Sequence, residues 1–353
     1  MSFVREFGRT IVILVSLVVL LGALIVIPGE EQDEKVPMLT NVKARLDTPT
    51  DGKCYLSVGL MHTEGATAMS KDVGRQIDAF SSLVGKNQSV YIDTWGDLWE
   101  KDEAYWQLEK YKPLLASGKV DALGINLWPC VRSDHANDNY TVVQIARGEH
   151  DEFIRAQAAK VKEFQFPLFI RFGAEFNIYQ GERFEGQTKE GTYIFADDPT
   201  NFIAAWRHYV DVFREENVSN AIFMWNPNFA DFGPHHFTEY YPGDDYVDWV
   251  GIDIYQYEPT SSPRAMLSEA YGLYSDRKPI AVAEWGTNWK NQDFSDADRA
   301  RFVHDLFDAV ESMPAIKMIN YWYYEDYRFN AEDYPLTTAA YRERAADPRY
   351  IGP

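Results

Sequence analysis

The sequence predicts an α/β fold, a single (β/α)8 TIM barrel, on three observations. From Cys54 onward short apolar runs alternate with longer amphipathic stretches, the pattern of βα units. The alternation repeats eight times, enough to close a barrel. Glu175 and Glu284 each stand at the exit of an apolar run, where barrels of this kind gather their reactive groups.

Strands are expected over residues 54–60, 89–94, 122–127, 168–173, 221–225, 249–254, 280–283 and 317–322. Helices are expected over 150–164, 201–215 and 296–313, the last opening after Ser295 as N-cap. The longest loops follow the third and fourth strands, on the rim where specificity resides. With 353 residues, the chain holds one large barrel after an N-terminal apolar segment. That segment, residues 11–27, carries no charge and follows Arg5 and Arg9, so the basic flank is expected to stay inside the cell. The organisation read from this is a signal anchor or signal peptide over 1–28, a polar tether over 29–52 and a catalytic barrel over 53–353. The barrel would then lie on the extracellular face of the membrane, or be secreted, touching the membrane through the N-terminal helix only.

A net charge of −20 argues against binding nucleic acid or an anionic polymer and favours a neutral substrate. Aromatic residues make up 15% of the chain, more than a core needs, and flat rings suit the apolar faces of sugars. Cys54 and Cys130 fall on opposite rims of the expected barrel and are read as unpaired. Acceptor triplets at Asn87, Asn139 and Asn217 are compatible with export. His235 and His236 lack a third ligand at a recognisable spacing, and neither a phosphate loop nor a Gly-x-Ser-x-Gly elbow occurs. No metal and no cofactor are expected.

Side chains alternate along a strand, so Arg171, Gly173, Glu175 and Asn177 are expected on one face, as are Ile280, Val282 and Glu284. Two carboxyl groups converging at a barrel mouth suit retaining glycoside hydrolysis, which needs them roughly 5 to 5.5 Å apart. Partial burial and the nearby charge of Glu284 would keep Glu175 protonated, and Arg171 or Tyr255 would hold Glu284 ionised. The plainer reading of either glutamate is a rim residue in a salt bridge, with Arg171 as partner. Trp128, Trp225, Trp285 and Trp289, at or just beyond strand exits, are either sugar platforms or packing residues. Arg171, Asn177, Tyr255 and His62 are candidate substrate contacts, and Trp206, inside a helical pattern, is read as core.

Several strings in order along the chain carry a family resemblance: Ile145-Ala-Arg-Gly-Glu-His-Asp151, Arg171-Phe-x-x-Glu175-Phe-Asn177, Trp225-Asn-Pro-Asn228, the block from Tyr240-Tyr-Pro-Gly-Asp to Asp-Ile-Tyr255, Pro279-Ile-Ala-Val-Ala-Glu284-Trp-Gly286, and Tyr321-Trp322. The chain thereby resembles glycoside hydrolase family 26, best known for endo-β-1,4-mannanases. The resemblance implies Glu175 as acid/base, Glu284 as nucleophile, Tyr255 beside the nucleophile and Trp322 as a sugar platform at the cleavage site. The family commonly has histidine before the acid/base and methionine after it, where this chain has Ala174 and Phe176. The function expected is endo-acting hydrolysis of a β-linked polysaccharide, β-1,4-mannan first and mixed-linkage β-glucan next. The departure at Ala174 motivates one rival, a cell-surface glycan-binding barrel with an impaired active site.

Overall fold

The computed structural model describes residues 46–60, 69–93, 108–127, 142–178, 198–232, 234–287, 294–323 and 327–353. Eight parallel strands run in barrel order: β1 (Cys54–Leu60), β2 (Val90–Asp93), β3 (Ala122–Leu127), β4 (Leu168–Phe172), β5 (Ala221–Trp225), β6 (Trp249–Tyr255), β7 (Ile280–Gly286) and β8 (Ile316–Trp322). Each pairs with the next, and β1 pairs with both β8 and β2, which closes the ring. Around it lie α1 (Met69–Val84), α2 (Leu108–Ala116), α3 (Val142–Ala146), α4 (Asp151–Phe164), α5 (Pro199–Glu215), α6 (Pro263–Tyr274), α7 (Asp296–Ser312) and α8 (Pro335–Ala345). The expected strands are present with ends displaced by a few residues. Ser295 caps α7 in a reciprocal box with Asp298, and Asp198 and Ser262 cap α5 and α6, each followed by a proline suited to the first helical turn.

Two apolar layers result. Inside the barrel, Val90, Ile92, Phe169, Met224, Trp249 and Met318 fill the lumen, with Phe169 and Trp249 edge to face at 5.5 Å. Outside, the opposite strand faces pack on the helices. At the seam Ser57 Oγ donates to Asn320 Oδ1 across 263 positions of sequence. A short strand absent from the expectations, β9 (Tyr350–Ile351), pairs with Cys54 and Tyr55 at the start of β1.

The last residues of the expected tether, 46–52, are described. Residues 46–52 lie against the barrel, because Leu46 packs on the inner apolar cluster and Tyr55 donates its hydroxyl to the carbonyl of Asp47 at 2.8 Å. Lys317 adds a contact to Asp51 at 3.2 Å. Cys54 is a buried free thiol, whereas Cys130, Asn139 and the apolar run 11–27 lie outside the described residues. Among the described residues no helix is long and apolar enough to cross a membrane.

Candidate active site

Glu284 reaches the barrel mouth by a route that simple alternation does not predict. On β7, Ala281 and Ala283 face the lumen, while Ile280 and Val282 belong to the outer layer. Strict alternation would therefore send Glu284 outward with Ile280 and Val282. The β6–β7 register runs Ile252 to Val282 and then Asp253 to Glu284, which leaves Ala283 as one extra residue. Against β8 the offset recurs, since Val282 faces Ile319 and Trp285 faces Tyr321. This bulge re-aims a single side chain, turning Glu284 inward and returning Trp285 to the outer layer. The expectation that Ile280, Val282 and Glu284 share a face is corrected accordingly.

Once inward, Glu284 is held at both oxygens. Arg171 Nη2 donates to Oε1 at 2.8 Å and the Tyr255 hydroxyl donates to Oε2 at 2.6 Å. Glu284 is 7% exposed, so both contacts operate away from bulk water. Arg171 is fully buried; Nη2 also reaches Asp253 Oδ2 at 3.1 Å, and its Nε donates to Asn226 Oδ1. Burial works against the guanidinium charge, but Glu284 and Asp253 together raise its pKa above the ordinary arginine value. One cation faces two carboxylates. Burial and the charge of Glu284 push Asp253 well above the usual carboxylate range, against the pull of Arg171. Burial, then Glu284, also push Tyr255 upward, which keeps its hydroxyl a donor.

Glu175 arrives differently. The β4 strand ends at Phe172, and Gly173 (φ +62°) and Glu175 (φ +57°) both take left-handed conformations. For a non-glycine residue this costs about 1–2 kcal/mol. The turn is held by the Glu175 amide on the Asn226 carbonyl at 2.8 Å and by the Ile178 amide on the Glu175 carbonyl at 3.0 Å. The alternation expected for Arg171, Gly173, Glu175 and Asn177 thus gives way to a turn beyond Phe172. Asn228 Nδ2 donates to Glu175 Oε1 at 2.8 Å. Glu175 is only partly buried, and it acts electrostatically on Arg171, Asp253 and Tyr255, the groups that also surround Glu284.

Four expected substrate contacts are corrected. The Trp225 and Trp285 rings are fully buried. Trp225 packs on Phe176 at 5.2 Å and donates to the Tyr240 carbonyl, and Trp285 stacks on Tyr341 at 5.6 Å. Neither ring can present a face to a sugar. Asn177 is buried, and its amide is committed to Asn228, Ala230 and Asp231. It fastens the loop after β5. Arg171, the fourth, takes the other role expected of it and is the buried support of Glu284. Trp322 lies at the end of β8, 8% exposed, over Gly59, where a Cβ would approach its ring to 2.6 Å. His62, Trp128 and Trp289 lie outside the described residues. Trp206 is core, as expected.

Asp253, Asn226 and Asn228 were not expected at the site. A carboxylate inside the apolar run Trp249–Tyr255 and asparagines continuing the inward period of β5 past Met224 were the available signals. His235 meets Glu239, and His236 meets Thr238 and Glu269. Among the described residues no cluster of three or more metal-ligating side chains is found.

The model of glycosyl hydrolase family 26 matches residues 136–330. Endoglucanase H of Acetivibrio thermocellus is 28% identical over 217 residues, which is 58% of this chain and 23% of that protein. Mannan endo-1,4-beta-mannosidase A and B of Caldalkalibacillus mannanilyticus is 37% identical over 87 residues, 24% of this chain and 15% of that protein. The chain thus matches less than a quarter of the length of these curated relatives. The solved GH26 β-mannanase from Bacteroides ovatus superposes with a TM-score of 0.57 at 16% identity, over 85% of this chain and 90% of that one. GH26C from Muricauda sp. does so with a TM-score of 0.60 at 14% identity, over 85% and 87%. These two superpositions identify the shared barrel fold.

Proposed function

The chain belongs to glycosyl hydrolase family 26, and from that premise we propose that its barrel cleaves β-linked polysaccharide from within and with retention of configuration. β-1,4-Mannan is the first substrate and mixed-linkage β-glucan the second, in keeping with one relative named as a mannosidase and another as an endoglucanase. The observation that carries the reading is the unequal housing of two carboxylates around one cluster. Glu284 is buried and gripped at both oxygens by Arg171 and Tyr255, whereas Glu175 is partly exposed and accepts from the neutral amide of Asn228 at Oε1.

In the first step Glu284 attacks the anomeric carbon while Glu175 gives its proton to the departing oxygen. The glycosyl ester forms as the glycosidic bond breaks. Esterification removes the negative charge of Glu284, which makes ionised Glu175 a competent base toward water. Water then attacks the same carbon, the ester bond breaks, and Glu284 is regenerated. Trp322, at the end of β8, offers an apolar edge against which a sugar ring can rest. No cofactor takes part in this scheme. The charge-free run 11–27 supports display on the outer face of a membrane or secretion.

A reducing-sugar screen on β-1,4-mannan, mixed-linkage β-glucan and xylan, with proton NMR of the first-formed anomer, tests the reading. Release of the β-anomer that is abolished in Glu284→Ala supports it. Unchanged turnover in both Glu284→Ala and Glu175→Ala overturns it. Binding without cleavage by the wild-type protein assigns the rival, a glycan-binding barrel, for which Ala174 is the motivating departure.

A further inference from the structure

The amide of Asn228 has only one possible orientation. Its Oδ1 accepts the backbone N–H of Ala230 at 3.0 Å, and because a backbone amide can only donate, that atom must be the oxygen. Nδ2 is therefore the group turned to Glu175 Oε1, at 2.8 Å. An amide NH2 donates and does not accept, so Oε1 is fixed as an acceptor.

The side chain has no room to swing away. Asn228 is buried, its N–H donates to Asn177 Oδ1 at 2.8 Å, and its carbonyl accepts from Asn177 Nδ2 at 2.9 Å. Asn177 is anchored in turn on Asp231 Oδ1 at 2.8 Å, which also accepts the Phe237 amide at 2.9 Å. On the other side the segment is stitched to β6 by the Phe229 amide on the Asp253 carbonyl and the Asp253 amide on the Pro227 carbonyl, both 3.1 Å. The carboxyl group is thus approached by a donor whose rotamer, orientation and backbone are all set before substrate binds.

We propose that Asn228 is a positioning residue that decides which oxygen of Glu175 carries the acid proton. With Oε1 held as the carbonyl-type acceptor, the proton of the acid form resides on Oε2. Leaving-group protonation then breaks the Oε2–H bond and forms the new O–H bond on the glycosidic oxygen. The electron pair of the scissile C–O bond stays with that oxygen, and Glu175 remains as a carboxylate supported at Oε1 by the same N–H. In the second step this carboxylate takes a proton from the attacking water. This inference rests on Glu175 being the acid/base. Among the described residues, the other charged or titratable groups that act on it are Arg171 on β4, Asp253 and Tyr255 on β6 and Glu284 on β7, none of which is altered by changing Asn228.

The test compares Asn228→Asp, which keeps the shape and the Ala230 contact, with Asn228→Ala and Glu175→Ala, folding being checked by thermal melts. Substrates are β-1,4-mannan and 2,4-dinitrophenyl β-mannobioside, with mixed-linkage β-glucan and the β-cellobioside in parallel. For both Asn228 variants kcat/KM should fall about 10- to 100-fold on polysaccharide and less than about 3-fold on the dinitrophenyl glycoside, whose leaving group needs no proton. Removing a donor from a carboxylate disfavours its ionised form, so the basic limb of the pH profile should move up by about one pH unit, further for Asn228→Asp. A merely structural role would lower both substrates together and leave the limb in place. Either outcome overturns the proposal. If Glu175→Ala cuts polysaccharide normally, the acid/base reading falls and this one with it. If Glu175→Ala loses polysaccharide activity while both Asn228 variants keep the wild-type limb and ratio, only the present inference falls.

Discussion

The exits of β4 and β7 carry the same amino acid in two different settings. At β7 an extra residue in the strand turns Glu284 inward, burial is nearly complete, and an arginine and a tyrosine hold both oxygens. At β4 the strand has already ended, a left-handed turn carries Glu175, and a neutral amide holds one oxygen of a partly exposed carboxyl. The difference sets a buried carboxylate held by a cation and a phenol against a partly exposed one that accepts from a neutral amide, and under the proposed mechanism these are the surroundings of the nucleophile and of the acid/base.

Removing either carboxylate breaks the comparison most severely. Glu284→Ala should lower kcat by roughly 10⁴-fold or more on every cleaved substrate, whatever the leaving group. Glu175→Ala should lose comparably on polysaccharide but keep much of its kcat/KM on a dinitrophenyl glycoside, where kcat alone falls because ester hydrolysis has lost its base, and equal losses of kcat/KM on both substrates would erase the distinction between the two exits. Next in size is the outer layer behind β7. Trp285→Ala should cost about 3–5 kcal/mol in chemical denaturation, with KM on mannan unchanged, because the ring packs on Tyr341 and not on sugar. A raised KM with an unchanged midpoint would return Trp285 to the substrate.

Tyr255→Phe sharpens the β7 side alone. It deletes one of the two donors to Glu284, and steady-state kinetics should show kcat down about 10-fold with folding intact. The smallest effect concerns Asp253. Its folded-state pKa is raised, so the native protein holds that proton more tightly than the unfolded chain, and stability declines as pH climbs from about 4 through the raised value. Asp253→Asn cannot titrate. The melting temperature of the variant relative to wild type should therefore increase with pH across that window, and a constant difference between pH 4 and pH 8 would refute the assignment.

Much of the barrel was legible because parallel strands buried on both faces read as unbroken apolar runs, and each run ends where a polar residue must meet solvent or substrate. Glu175 and Glu284 stood out for that reason. Their facing did not, since the bulge at Ala283 has no compositional mark and a left-handed glutamate contradicts propensity. Trp225 and Trp285 were misplaced by proximity to the exits; both belong to the outer face, where rings pack on the helices. Asn177 looked like a sugar contact because sequence does not reveal which backbone groups of a neighbouring loop need a partner. Asp253 passed unremarked inside an apolar strand, its reason visible only with Arg171 alongside.

The seam between β1 and β8 bears on how the molecule comes into being. Ser57 and Asn320 are 263 positions apart, and until the second is synthesised the edge of β1 waits without its neighbour. Such remote pairings delay folding and prolong the interval in which a growing polypeptide can aggregate. The same pair of strands brings the Trp322 ring over Gly59, so this part of the mouth is completed only after β8 has followed β1 out of the ribosome.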